Sequence, residues 1–192
     1  MIEKYFDNLK YSIQKLDRKK IDKLINKIKS IKKNKGRIFF LGVGGSAGNA
    51  SHAVNDFRKL CNIECYTPTD NVSEITARTN DEGFNTVFSG YLKNSNLSKK
   101  DAIFIFSVGG GNKKYNVSTN LIEAILLAKK KKAKVFSIVG RQDGYSYKNS
   151  DISILINVND KKLLTPISES MQVAIWHLLV SDKRLQSNKT KW

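Results

Sequence analysis

Between Arg37 and His52 the chain reads Arg-Ile-Phe-Phe-Leu-Gly-Val-Gly-Gly-Ser-Ala-Gly-Asn-Ala-Ser-His, an apolar strand that runs into a glycine turn and out along a helix. Such a junction is suited to holding an anion. Gly42, Gly44 and Gly45 can take backbone angles denied to other residues, so their N–H groups can converge on a ligand. Ser46 adds a hydroxyl, and the following helix offers unpaired N–H groups and the positive end of its dipole. The chemistry favoured is capture of a phosphorylated ligand. The loop is not a nucleotide P-loop, because no Gly-Lys-Ser/Thr follows. The dinucleotide fingerprint is incomplete as well: Gly42, Gly44 and Ala47 make a degenerate Gly-x-Gly-x-x-Ala, but no acidic residue ends the second strand near Cys65 or Tyr66 to take a ribose. Read alone, the loop is equally a tight turn with no ligand.

A second glycine turn, Ser107-Val108-Gly109-Gly110-Gly111-Asn112, follows another apolar run. Beyond the first turn, His52 and Asp56 stand one helical turn apart and face the same way, so they can share a metal or a substrate. Bland readings accompany each residue. A lone histidine such as His177 is commonly a packed or surface side chain. Asp56 can pair with Arg58 or a lysine, and Glu169 can complement a helix dipole. Ser46 and Ser107 can be helix caps, and Trp176 reads as subunit packing.

The elements that must position these groups follow from periodicity. Phe6, Leu9, Ile13 and Leu16, then Ile21, Leu24, Ile25, Ile28 and Ile31, recur at helical spacing from Ile2 to Lys33, with a break near Asp17. This arm has little of its own to pack on, so it is expected to cover a neighbouring subunit. Strands are expected at 38–41, 63–66, 102–106, 135–139 and 152–156. Helices are expected at 47–60, 71–78, from the Asn80-Asp81-Glu82-Gly83-Phe84 turn through Leu92, at 116–131, and from Pro166 to Leu185. Strands alternating with helices predict an α/β fold with a doubly wound parallel sheet and a long N-terminal helical arm. Right-handed crossovers then put both glycine turns at the carboxyl ends of their strands, where ligands bind.

Composition narrows the rest. The length suits one domain over 1–192, with an arm over 1–35 and an α/β core over 36–192. No apolar run is long enough to span a membrane and no signal-peptide core is present, so a cytoplasmic protein without a membrane partner is expected. Cys61 and Cys65 lack a second pair, so they read as ordinary, partly buried thiols. The net charge of +17 would ordinarily raise nucleic acid as a partner. Here the lysines are spread through the chain without a recognition helix or aromatic RNA-binding signature, so no specific nucleic-acid partner is expected.

Taken together, Gly-Gly-Ser followed six residues on by His52, the Asn80-Asp81-x-Gly83-Phe84 turn and a closing helix with His177 resemble the sugar isomerase (SIS) domain, and within it the sedoheptulose 7-phosphate isomerase (phosphoheptose isomerase) branch. The resemblance runs from the first helix to the last. The family's Gly-Asn-Gly-Gly-Ser is kept as Gly42, Gly44, Gly45 and Ser46, with Val43 in place of the asparagine. Its Ser-Thr-Ser-Gly-Asn-Ser phosphate loop corresponds to Ser107 to Asn112. The resemblance implies substrate contacts from Gly44, Gly45, Ser46, Asn80, Asp81, Ser107, Gly109, Gly110, Gly111, Asn112 and Glu169. It implies a zinc held by His52, Asp56, Glu169 and His177. Glu169 and His177 are separated by about 12 Å of helix, so one ion would reach both only with extended side chains or an irregular helix start. It further implies a homotetramer and aldose–ketose isomerisation of a sugar phosphate through an enediol, with Asp56 as base and His177 as acid. Asp56 is one methylene shorter than the family's glutamate. Two relatives give other expectations: the DnaA initiator-associating protein is a non-catalytic tetramer of this fold, and SIS regulators carry a helix-turn-helix for which this arm is too short.

Overall fold

The structure, a computed structural model, describes residues 1–190. Five parallel strands, β1 (Ile38–Leu41), β2 (Cys65–Tyr66), β3 (Ala102–Ser107), β4 (Lys134–Val139) and β5 (Ile152–Leu155), form one sheet in the order β2-β1-β3-β4-β5. β1, β3 and most of β4 read as continuous apolar runs because helices cover both faces, so neither face needs polar side chains. The chain winds one way from β1 to β2 and the other way from β3 onward. The crevice at the carboxyl ends of β1 and β3 is therefore the switch point of the sheet.

The helices are α1 (Ile2–Gln14), α2 (Arg18–Lys33), α3 (Gly45–Cys61), α4 (Val72–Glu82), α5 (Val87–Asn94), α6 (Thr119–Lys130), α7 (Tyr145–Asn149) and α8 (Leu164–Ser181). The arm breaks where the sequence indicates it: Asp17 caps α2, its side chain accepting from the Lys20 N–H at 2.9 Å. The expectation that the whole arm covers a neighbour is overturned for its second half. Ile21, Leu24, Ile25, Ile28 and Ile31 of α2 are buried in the chain's own core with Ile154, Trp176 and Leu179, each such burial contributing about 1.5–3 kcal/mol. Only α1 keeps an open apolar side, with Ile2, Phe6 and Ile13 exposed.

Other boundaries shift for local reasons. α6 begins at Thr119, not Asn116, because Asn112 and Val117 exchange backbone hydrogen bonds of 2.8 and 3.0 Å and close a loop between β3 and the helix. α8 starts earlier and ends earlier than expected, with Pro166 inside its first turn, where a missing N–H costs little. Asn80 and Asp81 lie in the last turn of α4, which ends at Gly83 with φ 86°. α7 is a short helix the periodicity does not reveal. Cys61 and Cys65 are fully buried, not partly, and burial pushes the Cys61 thiol up to about 11.

Candidate active site

The first glycine turn is built as the sequence implies. β1 delivers Leu41 into Gly42, whose hydrogen faces the Ser46 carbonyl so closely that a Cβ would collide with it. Gly44, at φ 62°, precedes α3. Ser46 is therefore buried in the first turn of α3 and is not its cap; no side-chain hydrogen bond caps this helix. On the neighbouring strand, Ser107 ends β3, and its hydroxyl accepts the Gly110 N–H at 2.9 Å. Gly110 and Gly111 take φ of 71° and 84°. The Gly110 carbonyl receives both the N–H and the hydroxyl of Ser146, at 2.8 and 2.7 Å, and the Gly111 carbonyl receives the Tyr145 N–H. The loop is thus anchored through its carbonyls. Asn112 closes the loop and its side chain accepts from the Tyr115 N–H. Since Leu41 pairs with Ile105 in register, the Gly44–Ser46 and Ser107–Asn112 turns stand side by side at the switch point.

Two helices carry the ionisable groups. Nε2 of His52 and Nε2 of His177 lie 3.9 and 3.7 Å from the same oxygen, Oδ2 of Asp56. The three ligand atoms lie within 4.8 Å of one another. The other Asp56 oxygen accepts from the Asn55 side-chain amide at 2.9 Å, which leaves Oδ2 turned to the imidazoles. Asp56 is the shielded member, with 14% of its side chain exposed against 58% for His52 and 47% for His177. Arg58, weighed from the sequence as a partner for Asp56, reaches instead to the Cys65 carbonyl. Burial holds His177 below the ordinary histidine value; the attraction of Asp56 opposes this and repulsion from His52 adds to it. His177 is therefore neutral at pH 7, able to ligate or to pass a proton.

Trp176 is fully buried within the chain, which corrects its reading as subunit packing, and its ring backs both imidazoles at 3.6 Å from His177 and 4.7 Å from His52. Glu169 stands apart from the three-residue cluster. Its carboxylate lies against Gly45, 2.6 to 2.7 Å from where a Cβ would sit, and so borders the glycine turn. Asn80 bonds to Asp81 at 2.8 Å, and Asp81 lines a separate crevice of about 720 Å³ with Arg78, Glu82 and Tyr91. Within one chain these two residues are not joined to the histidine cluster. Sequence reasoning missed Gln172, which is fully buried on α8; a lone amide on the core-facing side of an apolar helix was the available signal.

The donor set fits zinc. Separations of 3.7 and 3.9 Å are too long for hydrogen bonds but close to the roughly 3.3 Å between neighbouring ligands of a tetrahedral ion bound at about 2.0–2.1 Å. Two nitrogens and one carboxylate would leave an open position, as in catalytic sites.

The SIS domain model matches residues 4–140 of this chain. The chain belongs to the SIS domain family. The match includes both glycine turns, His52 and Asp56, whereas Glu169 and His177 lie beyond it. Among relatives, the lincomycin biosynthesis protein LmbN of Streptomyces lincolnensis is 33% identical over 150 residues, which cover 75% of this chain and 54% of that protein. The chain thus spans about half the length of LmbN. A phosphoheptose isomerase of Helicobacter pylori is 27% identical over 151 residues, covering 76% of this chain and 73% of the relative. The structure of a phosphoheptose isomerase from Francisella tularensis superposes with a TM-score of 0.79 at 20% identity, covering 93% of this chain and 91% of the other; the SIS fold is shared across nearly the whole chain.

Proposed function

We propose that this SIS protein isomerises a sugar phosphate between ketose and aldose forms through an enediol, with sedoheptulose 7-phosphate as the substrate. The observation that carries the reading is the convergence of His52 and His177, from two different helices, on one shielded oxygen of Asp56, on the same helix that opens with the glycine turn. Relatives named phosphoheptose isomerase support the coarser reading of a sugar-phosphate isomerase. The spacing along α3 supports a long-chain substrate: a phosphate at Ser46 would be separated from His52 by about 9 Å and from Asp56 by about 15 Å of helical rise.

In this reading the N–H groups of the two turns and the Ser46 hydroxyl hold the phosphate. Asp56 takes the proton from the carbon beside the carbonyl and returns it to the neighbouring carbon, while neutral His177 moves a proton between the two oxygens. His52, Asp56 and His177 would hold a zinc, which when bound would polarise the carbonyl and stabilise the enediolate charge. Trp176 keeps water from the inner side of both imidazoles. Glu169 faces the sugar hydroxyls nearest the glycine turn. Asn80 and Asp81 would reach a site across a subunit boundary in a homotetramer; α4, which carries them, has no buried residue in the single chain. Among the described residues no helix is long and apolar enough to cross a membrane.

The test is incubation of the purified protein with sedoheptulose 7-phosphate and detection of the aldose heptose 7-phosphate. Product formation that disappears in Asp56→Asn is expected. Tight binding of the sugar phosphate with no product would instead make the chain a phosphosugar-binding protein.

A further inference from the structure

The donors proposed for the site come from two helices, α3 and α8, that lie more than 100 residues apart in the chain, so tertiary contacts must fix one helix against the other. Asn49 lies on α3 one turn before His52, on the same side of the helix. Its side-chain nitrogen lies 3.0 Å from the main-chain carbonyl of Glu169 and 2.9 Å from Oε1 of Gln172, both on α8. The orientation of both amides is forced. A main-chain carbonyl can only accept, so Asn49 must present its NH2 there, and Gln172 must then turn its oxygen to the second hydrogen. Gln172 is fully buried, and its Nε2 is left without a partner. A buried amide that gives up one bond to make the other keeps its orientation for the sake of Asn49, because turning it over would set two NH2 groups against each other.

We infer that Asn49 and Gln172 are positioning residues: one amide bridging two acceptors on α8 sets the distance and rotation of that helix against α3, and thereby the separation of His177 from His52 and Asp56. Neither side chain touches the three ligand atoms. Both act through the helices that carry them, with Asn49 bonding at residue 169 and one turn beyond it, ahead of His177. The inference rests on the reading of His52, Asp56 and His177 as the reacting cluster.

The test compares Asn49→Ala, Gln172→Leu and the double variant with Asp101→Asn, a control that loses buried hydrogen bonds at the opposite ends of the strands. Cobalt(II) added to the metal-free protein is followed by its visible absorption, and crystal structures of the parent and the variants give the His52–His177 separation. Each single variant is expected to weaken cobalt about tenfold or more, as loss of supporting contacts around metal ligands does, and to lower kcat far more than it changes KM. The double variant is expected to be no worse than either single one, because both break the same bridge. Asp101→Asn is expected to leave cobalt affinity and the His52–His177 separation unchanged. Cobalt affinity within twofold of the parent in Asn49→Ala, with an unchanged separation, would overturn the inference. If the parent itself neither binds cobalt nor turns over substrate, the isomerase reading fails, and the crystallographic separation alone decides whether the bridge sets the helix spacing.

Discussion

At the residue scale, the proposed site draws on side chains that could otherwise play ordinary structural roles. Ser46 is the plainest case. A serine in a first helical turn commonly caps the helix, but Gly44 occupies the capping position and the Ser46 side chain makes no capping bond, so its hydroxyl is left over from that role for the phosphate contact proposed above. Ser46→Ala is expected to weaken binding of a sugar phosphate about tenfold, while binding of the unphosphorylated sugar changes less than twofold; one hydrogen bond to a charged group is worth about 1.5–3 kcal/mol. Calorimetry with both ligands checks this, and equal losses would remove the phosphate assignment. Gly45 supplies a second probe. The atoms nearest a methyl group there are the end of the Glu169 side chain, which can swing aside. Gly45→Ala is therefore expected to leave the melting temperature within a few degrees and to lower kcat/KM by displacing the Glu169 carboxylate.

At the element scale, the sheet was legible and the junctions were less so. Runs such as Ile103 to Phe106 announce a strand covered on both faces, and all five strands lie where expected to within a few residues. The break at Asp17 was readable because a helix cap is a local event. What local pattern could not give was which surface each helix covers. α2 has the same amphipathic stripe whether it packs on its own sheet or on a neighbour's, and only the position of β5 decides. Residues 116–118, the end of the loop before α6, read as helix in the sequence because the loop's closure depends on a pairing between Asn112 and Val117. In the site, His52 and Asp56 were legible from a one-turn spacing. The place of His177 beside them came from resemblance, and Glu169 was grouped with them although the length of α8 carries it to the glycine turn. The strands are tied at their other ends by Asp101, which accepts from Arg37 and Ser98. Burial raises its carboxyl, but the Arg37 and Ser98 hydrogen bonds outweigh this and hold it below the usual aspartate value. A carboxyl depressed in the folded state stabilises above its unfolded value near pH 3.9, and that stability is lost as pH falls through the lower folded value. Asp101→Asn is expected to cost about 1.5–3 kcal/mol at pH 7 and to flatten the loss of stability in acid, measured by urea unfolding between pH 2 and 7. An unchanged acid limb would contradict this.

At the scale of the whole molecule, three features point beyond the single chain. α1 leaves Ile2, Phe6 and Ile13 exposed. α4 has no buried residue. Asn80 and Asp81 sit away from the histidine cluster that the proposed reaction would join them to. A tetramer that closes sites at subunit boundaries would account for all three, and light scattering is expected to return about four times the chain mass of 21.7 kDa; a monomer at micromolar concentration would contradict it. The net charge of +17 would favour approach of the proposed anionic substrate, at a rate that falls with ionic strength. The central claim remains chemical: Asp56 moves a carbon-bound proton of a sugar phosphate. It is tested most directly by incubating the protein with sedoheptulose 7-phosphate in deuterium oxide and reading deuterium at the carbon beside the carbonyl. The account predicts incorporation by the unmodified protein and its loss in Asp56→Asn with substrate binding nearly intact. Undiminished incorporation in Asp56→Asn, or none in the unmodified protein with heptose and pentose phosphates, would contradict it.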